Sequence, residues 1–268
     1  MTTMSDTPAS DLITLTVDGH VGILRLNRPD KLNAMTVAMD EELNRLVYDI
    51  NNDNEIRAVV LRGEGGRAFS AGSDITDLDK YGGNWRYRNR FDENRDYARA
   101  IWKIRKPVIA SIDGYCIGGG LEMACGADVR IASPTSQFAA GEINLGWHGG
   151  SGATQLLTHL IGSGQASRLL LTGSRIDGEE ALRIGLVQQL VPSEQVFSEA
   201  LALANNIAEK SPIATQKTKF MIRAAHNIPL DVALLVENDS FSYLMMTDDA
   251  KEGQQAFAEK RPPRFTGN

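Results

Sequence analysis

Two glutamates stand in apolar company. Glu122 is flanked by Leu121, Met123, Ala124 and Cys125, and Glu142 lies between Phe138-Ala139-Ala140-Gly141 and Ile143. A carboxylate placed this way needs a partner or a task. Two carboxylates sharing one pocket titrate as a coupled pair and can exchange protons with a bound water. Taken singly, each reads more readily as a helix-dipole or loop carboxylate. Together, beside two glycine-rich stretches, they favour acid–base chemistry. The stretches are Arg67-Ala68-Phe69-Ser70-Ala71-Gly72-Ser73-Asp74-Ile75 and Ile112-Asp113-Gly114-Tyr115-Cys116-Ile117-Gly118-Gly119-Gly120-Leu121-Glu122. Both put small residues at a strand-to-helix junction, where backbone N–H groups can face a ligand unobstructed. Two such donors converging on one oxygen would form an oxyanion hole. Close backbone packing at strand ends is the alternative for either stretch alone.

Other chemistries have weaker support. Neither stretch ends in Gly-Lys-Ser/Thr, and neither is a GxGxxG in dinucleotide-binding context. Ser70, in Ala-Phe-Ser-Ala-Gly, falls one residue short of a nucleophile elbow. A hydrolase would need a histidine base, and the chain has only His20, His148, His159 and His226. Of these, His148 in Gly146-Trp147-His148-Gly149-Gly150 sits in a loop able to line a site. Without an orienting third residue it reads as a loop or specificity residue. No His/Cys/Asp cluster has metal-ligand spacing.

The elements that must hold these residues follow from periodicity. Ile13, Leu15 and Val17 alternate with polar residues, and Asp18-Gly19 is a turn signal before Val21 to Leu26, which predicts a hairpin. Thr36 caps a helix to Asn51 with Met39, Leu43, Leu46, Val47 and Ile50 on one face. Ala58 to Leu61, Val108 to Ile112 and Val129 to Ala132 read as buried strands. Helical patterns cover 152–160, 178–184, 194–210, 212–226 and 230–246. Residues 77–84 read as a mobile loop, and the aromatics Trp85, Tyr87, Phe91, Tyr97 and Trp102 as cover for the core or a pocket mouth. Strands alternating with helices predict an α/β core over 12–200. A disordered polar tail over 1–11 precedes it, and a helical subdomain over 201–268 follows.

Composition narrows the partners. The chain has 268 residues, 42% hydrophobic and 23% charged, with a formal net charge of −6. That balance opposes broad binding to nucleic acid but leaves room for a small anion at a local site. No window offers the roughly 18 apolar residues of a membrane span, and the start lacks the pattern of a signal peptide. Two cysteines, Cys116 and Cys125, read as buried thiols in a reducing, cytoplasmic setting.

The ordered motifs resemble the crotonase superfamily, and within it the enoyl-CoA hydratases. They include Leu26-Asn27-Arg28-Pro29-Asp30-Lys31-Leu32-Asn33-Ala34, Phe69 to Ile75, Lys106-Pro107-Val108-Ile109-Ala110, Gly114 to Glu122, Leu171-Thr172-Gly173, Glu180-Ala181 and Gly185-Leu186-Val187. The resemblance implies a spiral of ββα units with a helical C-terminal trimerisation region, assembled as a homotrimer or homohexamer. It implies a coenzyme A thioester as substrate, with no separate cofactor and no metal. By position, the N–H groups of Ser73 and Gly119 would form the oxyanion hole. Lys31, Asn33, Ala34, Ala71, Asp74, Ile75 and Thr76 would line the coenzyme A path. Glu122 and Glu142 match the acidic pair of the hydratases, with Glu142 as principal acid and Glu122 as water-orienting base. Gly141 and the Trp147-His148-Gly149-Gly150-Ser151-Gly152 loop depart from the usual hydratase pattern, which makes Trp147 and His148 candidates for the acyl pocket. Hydration of a 2-enoyl-CoA is the leading expectation. The alternatives are a Δ3,Δ2-enoyl-CoA isomerase or specialised dehydratase, a thioester hydrolase, and a non-catalytic acyl-CoA binder.

Overall fold

The computed structural model describes residues 9–77, 96–225 and 227–268. Its first described residues, Ala9–Leu12 (α1), form a single helical turn that overlaps the last three residues, 9–11, of the stretch expected as a disordered polar tail. β1 (Ile13–Asp18) and β2 (Val21–Leu26) then pair antiparallel, with Ile13 opposite Leu26 and Asp18 opposite Val21. Gly19 supplies the positive φ, +57°, that the two-residue turn requires. α2 (Val37–Asn52) follows, and the Thr36 side chain accepts from the Met39 N–H as its cap.

From there the chain lays down strands in pairs. β3 (Ala58–Gly63) and β4 (Ala68–Ser70) are followed, after α3 (Tyr97–Lys103), by β5 (Val108–Ile112) and β6 (Tyr115–Ile117). α4 (Gly119–Gly126) leads to β7 (Val129–Ala132) and β8 (Gln137–Ala139), and α5 (Ala153–Thr172) closes that unit. α6 (Gly178–Arg183) and β9 (Gln189–Leu190) complete the sheet region. Among the described residues there are two sheets: a six-stranded one ordered β1-β2-β3-β5-β7-β9 and a three-stranded one ordered β4-β6-β8. Each ββα unit gives one strand to each sheet, so the chain advances as a spiral. Every strand-to-strand pairing after β1–β2 among the described residues is parallel, and a single antiparallel bridge joins Phe138 of β8 to Ile176.

The central strands of the large sheet are buried on both faces, as parallel strands require. Val59 and Leu61 of β3 and Val108, Ala110 and Ile112 of β5 pack in one cluster with Met39, Leu43 and Ile50 of α2. Ala58, Val60 and Ile109 join the other cluster with Ala200, Ala204 and Ala208 of α7 (Val196–Ala208). The four-residue spacing of those alanines gives α7 a flat stripe that lies close to the strands. Cys116 of β6 and Cys125 of α4 are free and buried. Burial pushes the Cys125 thiol up to about 12 and holds Cys116 well above its ordinary value.

The C-terminal helices are α8 (Pro212–Ala224), α9 (Leu230–Met245) and α10 (Asp248–Glu259). α8 is clasped to the core by Asp128, which meets Lys219 Nζ at 2.6 Å and Arg223 Nη2 at 3.1 Å. α9 buries none of its side chains; Leu230, Leu235 and Phe241 are exposed by 74%, 69% and 59%. Trp85, Tyr87, Phe91, His226 and all but Asp77 of the loop expected over 77–84 lie outside the described residues.

Candidate active site

The segment before α2 is laid alongside the first glycine-rich stretch. Met35 pairs in parallel with Ser73: the Met35 N–H donates to Gly72 O, and the Asp74 N–H donates to Met35 O, both at 2.8 Å. In this ladder the N–H of Ser73 falls on the opposite side, away from Met35. Arg28 braces the junction, with Nη1 2.7 Å from Asp74 Oδ2 and 3.1 Å from Ala34 O. The Thr76 N–H and hydroxyl donate to Asp74 Oδ1.

Gly72 and Gly118 let the two stretches meet. Gly72 has a φ of +87°, and a Cβ there would lie 2.8 Å from the Gly119 nitrogen. The amide that follows Gly72 is therefore held against the start of α4. Gly119 is the first residue of that helix, where an N–H has no intrahelical acceptor and the helix dipole is positive. At the opposite end of α4 the fully buried Arg130 donates from Nη1 to Ala124 O and Ala127 O, and from Nε to Leu186 O. Its positive charge meets the negative end of the helix.

Glu122 lies in the first turn of α4 and is 4% exposed. Its Oε1 accepts from the Ser151 N–H at 2.8 Å and the Ala153 N–H at 3.2 Å, at the start of α5. Gly149 is crowded against the same oxygen: a Cβ there would lie 2.7 Å away. Burial pushes Glu122 up to about 7; the Ser151 and Ala153 amides oppose that rise, and the nearby charge of Glu142 adds to it. Glu142 sits on a 3-10 turn, Gly141–Leu145, and its Oε1 lies over Gly118, 3.2 Å from where a Cβ would be. The two carboxylates thus come from different elements to the same helix start. A group that titrates near neutrality beside a second carboxylate can take a proton in one step and return it in another.

The structure brings Ser73, Gly119, Glu122 and Glu142 together, flanked by Ala34, Ala71 and Asp74. Lys31, Ile75 and Thr76 are exposed along the same edge. Asn33, expected to line the ligand path, is fully buried. Its Nδ2 donates to Glu64 O and Ala68 O, and its Oδ1 accepts from the Arg28 N–H. The side chain is a clasp behind the site. Ser70 is likewise buried, donating to Asn33 O and accepting from the Gly72 N–H, which removes it as a nucleophile. Trp147 is half-buried beside Glu142, whose carbonyl accepts from its N–H. His148 is exposed, with Nδ1 2.7 Å from Gly149 O.

Two functional features escape the sequence reading. The Ser151 and Ala153 amides hold Glu122, although Gly149-Gly150-Ser151-Gly152 before a helix carries the same small-residue signal as the other two stretches. Tyr97 reads as core or pocket cover, yet its hydroxyl lies 2.7 Å from Ser73 Oγ. No local pattern connects positions 73 and 97. Among the described residues no group of three or more His, Cys, Asp or Glu side chains is placed to hold a metal ion.

Comparison with known proteins identifies the family and the fold. The family described as enoyl-CoA hydratase/isomerase matches residues 16–268. The chain is 35% identical to the short-chain-enoyl-CoA hydratase of Clostridium acetobutylicum over 249 residues, covering 93% of this chain and 95% of that one. It is 34% identical to the crotonyl-CoA hydratase of Syntrophomonas wolfei, covering 96% and 98%. The crystal structure of an enoyl-CoA hydratase from Bacillus anthracis superposes with a TM-score of 0.89 at 34% identity, covering 96% of this chain and all of that one. The fold is the crotonase fold, and the chain belongs to the enoyl-CoA hydratase/isomerase family of the crotonase superfamily.

Proposed function

We propose that the protein adds water across the 2,3 double bond of a 2-enoyl-CoA thioester. The observation that carries this reading is the approach of two carboxylates, Glu122 and Glu142, to the start of α4 beside the Ser73 and Gly119 amides. The two N–H groups donate to the thioester carbonyl oxygen, draw electrons from the conjugated double bond and make its β-carbon electrophilic. Water adds there, and charge gathers on the oxygen as an enolate. One such donor is worth about 2.7–4 kcal/mol at the transition state. In the reactive form the pair holds one proton, on Glu142: ionised Glu122 orients the water and takes its proton, Glu142 delivers its own to the α-carbon, and the proton on Glu122 then returns to Glu142. Isomerisation needs one carboxylate to move one proton; a second carboxylate gives the water its base.

Lys31 offers exposed positive charge to the coenzyme A phosphates. Ala34, Ala71, Asp74, Ile75 and Thr76 form the edge along which the thioester enters, and Trp147 and His148 bound the acyl end. The reaction uses no cofactor beyond the coenzyme A of the substrate. The exposed apolar face of α9 supports a homotrimer or homohexamer as the working form. A cytoplasmic location belongs to the same reading and suits the two free thiols.

The test is loss of the enoyl-thioester ultraviolet band of crotonyl-CoA. Glu122→Gln and Glu142→Gln should each lower kcat by about 10²-fold or more. Full activity in either variant would overturn the assignment.

A further inference from the structure

Tyr97 touches both residues that carry the oxyanion donors. It is the first residue of α3, whose cap, Asp96, accepts from the Arg99 N–H. Its side chain is buried, with 8% of the residue exposed. The hydroxyl lies 2.7 Å from Ser73 Oγ. The same hydroxyl occupies the space a side chain at Gly119 would need: a Cβ there would fall 1.9 Å from Oη and 2.7 Å from Cζ. One phenol therefore spans the gap between two strand-to-helix junctions that the chain separates by 46 positions.

The hydroxyl is more than core filling. A phenylalanine would supply the same ring, whereas a buried hydroxyl costs about 1–3 kcal/mol unless it is bonded. The bond it makes is to the side chain of a residue whose amide, not its hydroxyl, the proposed chemistry uses. Burial and the Glu122 charge push the Tyr97 pKa up, so the phenol stays neutral and retains its proton throughout the working range.

We infer that Tyr97 is a positioning residue of the oxyanion hole, its hydroxyl setting the separation and aim of the Ser73 and Gly119 amides through its bond to Ser73 Oγ and its contact with Gly119. This rests on the hydratase reading for the identity of the bound carbonyl. Amide donors preorganised toward the developing charge need no rearrangement during reaction, and misplacement of an ångström can cost as much as about 10²-fold in rate.

The experiment combines a mutant cycle with a spectroscopic probe. Tyr97→Phe and Ser73→Ala should each lower kcat for crotonyl-CoA hydration by about 10-fold, with KM held within about twofold. The double variant should lose no more than either single one, because both substitutions break the same bond. The carbonyl stretch of bound butanoyl-CoA, carbon-13 labelled at C1, should lie below its solution frequency in the wild-type protein. It should move back toward that frequency in both single variants. An unchanged kcat in Tyr97→Phe, losses that multiply in the double variant, or a carbonyl frequency identical to wild type would each overturn the role of Tyr97. No displacement of the carbonyl frequency in the wild-type protein would overturn the hydratase reading, and the inference with it.

Discussion

Glu122 Oε1 accepts from the Ser151 N–H at 2.8 Å, and that bond joins the first turn of α4 to the start of α5. It gives the carboxylate a fixed direction in a setting that penalises its charge. Burial and the Glu142 charge outweigh the two amides, and the group titrates at about 7 rather than in the usual carboxylate range.

A pH dependence follows. Hydration requires Glu122 ionised, so kcat/KM should fall as pH drops through about 7, with the titration belonging to the Glu122–Glu142 pair. The low-pH limb should disappear from the residual activity of Glu122→Gln. Stability should run the other way. A folded pKa above the unfolded value means that the folded state holds the extra proton between about 4.5 and 7, so stability falls as pH rises through that window. Glu122→Gln should then melt higher than wild type at pH 8, by an amount approaching about 3 kcal/mol in free energy. At pH 4 it should melt with wild type. Equal melting temperatures at pH 8 would remove the burial argument.

Gly72→Ala tests the close approach of the two junctions. The substitution puts a Cβ 2.8 Å from the Gly119 nitrogen in a backbone of φ +87°, where L side chains are strained. We expect kcat to fall by about 10²-fold, with a drop in melting temperature. Steady-state kinetics beside a thermal melt checks it, and wild-type kcat would show that the junctions do not need their present spacing.

Arg130→Met tests the far end of α4. Methionine fills much of the volume but leaves the carbonyls of Ala124, Ala127 and Leu186 without their guanidinium donor. About 2–4 kcal/mol of stability should be lost, read by urea titration at pH 7. A change within about 0.5 kcal/mol would mean that those carbonyls find other partners.

The α9 face predicts assembly. Sedimentation should give three or six times the 29.2 kDa chain mass. Leu235→Glu, at a position 69% exposed in the single chain, should shift the population toward smaller species. A wild-type monomer at micromolar concentration would refute the assembly.

The sequence carries much of this molecule, unevenly. The hairpin, the Thr36 cap and strands β3, β5 and β7 of the large sheet are legible because each shows an alternation, a cap or a continuous apolar run, whereas β9, with two residues, shows none. The small sheet is not legible either: Ala68–Ser70, Tyr115–Ile117 and Gln137–Ala139 have three residues each, too few for alternation. The helix read over 152–160 ends at Gly162, whose φ of +74° and ψ of 159° are non-helical; a second helical stretch then follows it across the kink to Thr172. Glu122 and Glu142 stand out as carboxylates among apolar neighbours, and at Glu122 burial raises the pKa as those neighbours suggest. Asn33, which the resemblance places on the ligand path, has a side chain whose hydrogen bonds all point inward. Tyr97 is illegible because its meaning depends on a partner 24 positions away.

The burial of Cys116 and Cys125 has a practical consequence at the bench. A disulfide-exchange dye reads thiolates, and neither protein thiol ionises readily while the fold is intact. The native protein should leave such a dye colourless, and the unfolded chain should consume two equivalents. Coenzyme A freed from a thioester would be the one reactive thiol in the cuvette. Hydration keeps the thioester bond and hydrolysis breaks it, so a colourless reaction mixture that still consumes crotonyl-CoA separates the two reactions without removing the enzyme.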